Sequence, residues 1–253
     1  MSDNLFWLTD AQMEGLSAFF PKSRGRARVD DRRVLSGIVF VNRNGLRWRD
    51  ASAAYGPSKT LYNRWVRWSR MGVFARILVA LAEAEQDVST IMIDATHLKT
   101  HRTASSLRGQ KGGGSRFIGR TKGGLNSKLH AVTDAKGRPI RLFLTAGQTS
   151  DYIGARALLP SLPAAWVLLA DRGYDAKWFR IGLIGRGITP CIPSRKARKL
   201  AIPHDKTLYR QRHRIENMFG RLKDWRRIST RYDRCADIYL SACAFAAVML
   251  FWL

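Results

Sequence analysis

Two apolar runs in this chain each close on a carboxylate: STIMID, ending at Asp94, and AAWVLLAD, ending at Asp171. Both read as strands, aliphatic or β-branched and followed by turn-forming residues. A carboxylate held at a buried strand without a partner is costly, so each one demands a compensating charge or hydrogen-bond donor. The fold must therefore supply a common solution to two buried acids, and a third acid decides what kind.

That third acid stands alone in the basic segment YRQRHRIENMFGRLK, residues 209–223. On a helix at roughly 100° per residue, Tyr209, Arg212, Glu216 and Lys223 share one narrow arc, while Leu208, Ile215, Met218, Phe219 and Leu222 form a separate apolar face. One reading is a surface helix in which Glu216 pairs with its own Arg and Lys neighbours. The other brings Glu216 to Asp94 and Asp171. Three oxygen donors suit a hard cation, Mg²⁺ or Mn²⁺. Two such ions about 3.5 to 4 Å apart activate a water or a 3′-hydroxyl and steady the leaving oxygen of a phosphodiester. Other acids have local explanations: Asp134 in a β-turn, Asp151 at a helix N-cap, Asp175 at a helix start. His97, His101 and His130 lack the spacing of a zinc quartet and are expected to meet DNA or solvent.

Around these residues the pattern divides near Asp87. Residues 1 to 87 read as an all-α domain. Thr9 and Gln12 form a T-x-x-Q capping box, and a second helix runs from Asp31 to a stop near Gly45. A turn-rich linker, RDASAAYGPS, follows, and Ser58 caps a helix with Leu61, Trp65 and Trp68 on its inner face. Lys59, Tyr62, Asn63 and Arg67 face outward, the pattern of a helix-turn-helix whose later helix enters the major groove. Residues 88–253 alternate β, β, β, α, β, α, β, α, α, which specifies an α/β domain with a mixed sheet flanked by helices. Between the first two strands lies a Gly-rich, acid-free stretch, residues 104–128, read as a basic arm. Its Arg108, Lys111, Arg116, Arg120 and Lys122 are placed to follow a phosphate backbone.

Charge supports a polyanionic partner. Of 253 residues, 44 are Lys or Arg and 19 Asp or Glu, a net charge of +25 that strains a compact fold unless nucleic acid neutralises it. Three cysteines without a C-x-x-C pair argue against a disulfide framework and fit a reducing cytoplasm. The N-terminus lacks the pattern of a signal peptide. The apolar run of residues 239–253 is shorter than the roughly 20 residues that span a bilayer, so it is expected to be a buried helix and no membrane role is expected.

Asp94 in MIDATH, Asp171 in LADRGYD and Glu216 within Tyr209-x-x-Arg212-x-x-x-Glu216-x-x-x-x-x-x-Lys223 resemble the DDE transposases of bacterial insertion sequences, in the group-four and group-five superfamily with its Y-R-E-K signature. The resemblance extends to WLTDAQMEGLSAFFP, RGRARVDDRRVLSGIVFV and GLRWRD near the N-terminus, and to GRTKGGLNSKLHAVTDAKGRP. It implies a ribonuclease H-like catalytic domain and two divalent ions, Mg²⁺ or Mn²⁺, held by Asp94, Asp171 and Glu216. It further implies phosphate contacts from Tyr209, Arg212 and Lys223, and strand cleavage and transfer at terminal inverted repeats. Partners would be transposon-end and target duplexes, with a homodimer or higher oligomer assembling on them. Some relatives carry a large β insertion before the glutamate helix; here only residues 194–206 are available for it. Two rival functions share these residues: a ribonuclease H-like nuclease without strand transfer, and a domesticated, non-catalytic DNA-binding protein.

Overall fold

A computed structural model describes residues 4–21, 30–106 and 116–253. Before Asp87 come helices α1 (Asp10–Ser17), α2 (Asp31–Asn44), α3 (Ser58–Arg70) and α4 (Val73–Glu85). The Thr9–Gln12 capping box closes reciprocally, at 3.1 and 3.2 Å. Gly45, at φ 73°, ends α2 in the left-handed conformation.

Two local expectations change here. Ser58 is the first helical residue of α3 rather than its cap; Pro57 stands at the cap, its carbonyl accepting from the Thr60 and Leu61 N–H groups. The segment from Arg49 to Ser58 is no loose linker. Short 3₁₀ turns at Trp48–Asp50 and Ala53–Tyr55 fold it back, and Tyr55 is buried with its hydroxyl donating to the Phe6 carbonyl at 2.8 Å. Residues 45–57 thus make a longer, packed connection between α2 and α3 than the three- to four-residue turn of a minimal helix-turn-helix.

The remainder runs β1 (Thr90–Thr100), α5 (Arg102–Ser105), β2 (Gly119–Thr121), β3 (Gly124–Thr133), β4 (Pro139–Ala146), α6 (Asp151–Leu158), β5 (Val167–Ala170), α7 (Lys177–Ile184), β6 (Thr189–Cys191), α8 (Lys206–Tyr209), α9 (His213–Lys223), α10 (Arg226–Ser229), β7 (Thr230–Arg231) and α11 (Ala236–Phe251). The seven-stranded sheet has the order β2-β3-β1-β5-β6, with β4 beside β3 and β7 beside β1. Neighbours β1, β3 and β4 are antiparallel, whereas β5 and β6 run parallel to β1. The sheet is mixed, flanked by helices, and ribonuclease H-like.

Over residues 119–128 the Gly-rich stretch is not an arm. Thr121 pairs with Gly124 across a two-residue turn, Lys122-Gly123, and Gly124 takes φ 93°. Residues 119–128 therefore form a hairpin, because a glycine able to enter positive φ lets the chain double back onto the sheet. Arg120 and Lys122 are exposed on this hairpin, and Arg116 donates to the Ser106 carbonyl at 2.6 Å. Arg108 and Lys111 lie outside the described residues.

Helix α11 is buried almost throughout and serves as the centre of the molecule. It packs on α3, α4, α9 and β4. Phe245 of α11 meets Phe74 of α4 with ring centroids 4.7 Å apart. The helical N-terminal segment and the sheet consequently share one continuous hydrophobic core. No helix among the described residues is long and apolar enough to cross a membrane.

Candidate active site

Strand register builds the site. Parallel pairing of β1 with β5 runs from Thr90↔Val167 to Ile93↔Ala170, so Asp94 and Asp171 are the next residues on adjacent strands. There the strands part. β5 ends and Asp171 turns into a 3₁₀ turn, its carboxylate accepting from the Gly173 N–H at 2.8 Å. Strand β1 continues, still paired with β3, until β7 joins its other edge at Lys99. Between Ile93 and Lys99 that edge of β1 has no neighbouring strand among the described residues, and side chains of the glutamate helix and of the turn before it fill the notch. Arg212 Nη1 donates to Asp94 Oδ2 at 2.7 Å, and Lys223 Nζ donates to Thr96 Oγ1 at 2.7 Å.

Arg212 is the hub. Its second terminal nitrogen pairs with Glu216, one helical turn along, so one guanidinium bridges the acid on the sheet to the acid on the helix. The periodicity argument grouped Tyr209 with these residues on one helix. In the structure, residues Arg210–Arg212 form a 3₁₀ turn between α8 and α9, which changes the angular step. Tyr209 still lies beside the group, its ring centroid 6.0 Å from Arg212 Cζ.

Burial dominates the electrostatics of the site. Burial pushes the Asp94 carboxyl up to about 6; Arg212 and the Ala95 N–H pull against this, and the Asp171 charge adds to the rise. Burial also lowers the Lys223 ammonium. Asp94 and Asp171 supply oxygen donors on neighbouring strands that repel one another, the donor chemistry a hard divalent ion needs. Among the described residues no three acidic, His or Cys side chains form a ready-made ion cluster. The Arg212 guanidinium stands between Glu216 and Asp94 and engages both. The donor set fits a divalent ion on the condition that Arg212 yields.

Several residues read from local pattern take other partners in the fold. Asp175, expected at a helix start, caps nothing: Ala176 precedes α7, and Asp175 is fully buried. It accepts from Arg180 Nε at 2.8 Å, the Arg195 N–H at 2.9 Å and Arg198 at 2.8 and 2.7 Å, pinning the basic loop after β6 to the turn that carries Asp171. Burial opposes its ionisation, yet Arg198, the Arg195 N–H and Arg180 together hold its carboxyl well below the usual range. Those partners lie 5 to 23 residues away, beyond any local pattern. Asp151 is the first residue of α6 rather than its cap, and it pairs with the nearly buried Lys128 at 3.1 Å. His130 meets neither DNA nor solvent: it is buried on β3, hydrogen-bonded to Thr145 at 2.9 Å, and burial pushes its imidazole down to about 4. His97 is exposed beside the Gly147 carbonyl, and His101 caps α5. Asp134 sits in its expected turn, accepting from the Lys136 and Arg138 N–H groups.

The outward residues of α3, Lys59, Tyr62, Asn63 and Arg67, are exposed, while Leu61, Trp65 and Trp68 are buried.

Comparison with known proteins agrees with this layout. Residues 85–250 match the family profile described as "Transposase DDE domain", and residues 8–78 match that of IS4/5-family transposases. A protein of Brucella ovis, assigned as the transposase for insertion sequence element IS6501, is 34% identical over 130 residues, 51% of this chain and 99% of that one. One from Burkholderia cepacia, assigned to IS402, is 31% identical over 157 residues, 54% of this chain and 72% of that one. Among solved structures, the piggyBac transposase synaptic complex with hairpin DNA has a TM-score of 0.57 at 10% identity, covering 97% of this chain and 72% of that chain. At that identity the likeness concerns the fold alone.

Proposed function

This chain belongs to the DDE transposases of insertion sequences, in the IS4/5 group, and from that premise we propose that it binds the terminal inverted repeats of its element and catalyses metal-dependent strand cleavage and strand transfer. Enzymes of this type use divalent metal ions. The finer reading gives two Mg²⁺ or Mn²⁺ ions per site, held by Asp94, Asp171 and Glu216. The observation that carries it is the register Ile93↔Ala170, which sets two acids side by side at the point where the strands separate.

When bound, the ions lower the barrier to attack on phosphorus and stabilise the departing oxygen. The chain's own residues do the rest. Asp94 and Asp171, fixed on the sheet, set the position; Glu216, half exposed on α9, completes it from the helix side. Arg212 leaves the carboxylates and turns to the phosphate, and Lys223, braced on Thr96, holds a neighbouring one. In cleavage, a water oxygen bonds to phosphorus as the bond to the 3′-oxygen breaks; the water gives up a proton to solvent, and the departing 3′-oxygen takes one up to become a hydroxyl. In transfer, the freed 3′-hydroxyl oxygen attacks a target phosphodiester and displaces that strand's 3′-oxygen. Outward residues of α3 and the basic hairpin grip the duplex, and two or more copies hold the paired ends.

A transposon-end oligonucleotide tests this. Asp94→Asn, Asp171→Asn and Glu216→Gln should each cut Mg²⁺-dependent cleavage to below roughly a tenth of wild type while leaving duplex binding nearly intact. Cleavage above that level in any one variant removes its residue from the site.

A further inference from the structure

Helix α9 carries a second cationic face that the chemistry of Glu216 does not use. Arg214, Asn217 and Arg221 lie roughly 100° to 160° around the helix from Glu216. They line a cavity of about 260 Å³ together with Lys136, Gly137, Arg138, Met218, and Leu250 and Phe251 of α11. Gly137 makes the approach possible: at φ 82°, a Cβ there would stand 2.9 Å from Arg214 Cβ, so the β3–β4 turn can press directly on the helix.

The cations here are held in place but not neutralised. Arg214 donates to the Ala135 carbonyl and to Gln211 Oε1 at 3.2 Å. Arg221 donates to the Leu250 carbonyl at 3.1 Å and stacks 4.6 Å over the Phe251 ring. Among the described residues, neither guanidinium pairs with a carboxylate. Arg138 does, with the buried Asp134 of the turn at 2.9 Å and with Glu85 at the end of α4 at 3.6 Å, so both of these acids are already engaged. Lys136, Asn217 and Arg221 are exposed. Fixed, uncompensated donors around an open cavity form a preorganised receptor for anionic oxygens.

Spacing identifies the anion. From Arg214 to Arg221 the helix rises about 10 Å at 1.5 Å per residue. Each strand of a duplex presents a phosphate about every 3.4 Å along the axis. Because phosphates also wind around that axis, neighbours on one strand stand farther apart than this rise, so the stripe spans about two phosphates, too long for a single anion. We propose that Lys136, Arg214, Asn217 and Arg221 form a second DNA-backbone groove, which engages a duplex other than the one at the carboxylates, since the body of α9 separates the two faces. This rests on the transposase reading above, which requires each assembly to hold more than one duplex.

The test uses the full chain with Asp94→Asn to block cleavage and a 20-base-pair duplex as probe, with stoichiometry read by sedimentation and affinity by anisotropy across a salt series. The parent should bind two duplexes per chain. Lys136→Gln with Arg214→Gln and Arg221→Gln should bind one, and the slope of log affinity for the second site against log salt should lose about 2 to 3 units, at 0.9 per phosphate contact. Because Arg214 and Arg221 also brace the fold, Lys136→Gln with Asn217→Glu, both at exposed positions, serves as a second variant and should weaken the second duplex at least about tenfold. Inorganic phosphate at matched ionic strength should not displace that duplex; displacement would make the cavity a site for single anions and overturn the groove. Unchanged stoichiometry and slope in both variants would also overturn it. A parent that binds no duplex at all would instead sink the transposase reading on which the groove rests.

Discussion

Arg212 and Asp94 meet guanidinium to carboxylate at 2.7 Å from positions 118 residues apart, and the same guanidinium holds Glu216. A monovalent side chain therefore already engages two of the carboxylates that the proposed chemistry assigns to divalent ions. Charge-assisted hydrogen bonds of this kind contribute about 1.5 to 3 kcal/mol, so an incoming ion must displace a real competitor. Arg212→Gln should bind Mn²⁺ about tenfold or more tightly than wild type without DNA at pH 8, as read by calorimetry. Weaker binding in the variant would show that Arg212 organises the carboxylates for the ion rather than competing with it.

Acidity follows from the same pair. An ion needs the Asp94 carboxylate, and its carboxyl is raised to about 6. Because the charged form exists above that value, Mn²⁺ affinity should fall as pH drops from 8 through 6. Arg212 lowers the Asp94 value, so its removal should move the midpoint upward even while tightening binding at pH 8. A midpoint near 4 in wild type would mean that Asp94 is not the residue that titrates.

Asp175 makes a separable claim about stability. It is fully buried against the side chains of Arg180, 7% exposed, and Arg198, 25% exposed. Asp175→Asn leaves two guanidiniums facing one another without a counter-charge and should destabilise the fold by about 3 kcal/mol, the low end for a broken buried pair. Its carboxyl sits below the usual range, so the stabilising contribution is present above the unfolded value of about 3.9 and is lost as pH falls beneath it. The gap in denaturation midpoint between wild type and variant should accordingly hold from pH 8 to pH 5 and close only in stronger acid. A gap below about 1 kcal/mol at neutral pH would show that the loop is held by other contacts.

What the sequence disclosed follows from the range over which each signal acts. The strands ending at Asp94 and Asp171 and the helix carrying Glu216 were legible because apolar periodicity is local. Their adjacency was not. It rests on a register between residues 77 positions apart, Ile93 and Ala170, that no spacing rule encodes. The basic arm was misread over residues 119–128 because composition records glycine and charge but not the pairing of Thr121 with Gly124. Asp175 and His130 were assigned from local context, and tertiary packing overrode both. Arg212 lies on the expected face, and its pairing with Glu216 is one of the two readings the helix allows; only the folded arrangement reveals its contact with Asp94.

We propose that sequence reading of DNA, as opposed to docking on it, falls to α3. Asn63 and Arg67 project outward from a helix whose inner face is fixed by the fully buried Leu61, Trp65 and Trp68. A helix anchored by two tryptophans presents its outer side chains on a rigid base, the condition for bidentate contacts from Asn to adenine and Arg to guanine, each worth about 1 to 3 kcal/mol of discrimination. Arg212 and Lys223, set beside the carboxylates, should meet only phosphate. Asn63→Ala and Arg67→Ala should therefore weaken binding to the element's own ends by about tenfold or more while scarcely changing affinity for random duplex. Arg212→Ala and Lys223→Ala should instead slow cleavage and leave the ratio of cognate to random affinity within about threefold. Anisotropy titrations of all four variants against both duplexes separate these outcomes. If the two α3 variants lose affinity equally for both duplexes, α3 grips the backbone only, and the reading of the transposon end lies elsewhere in the chain.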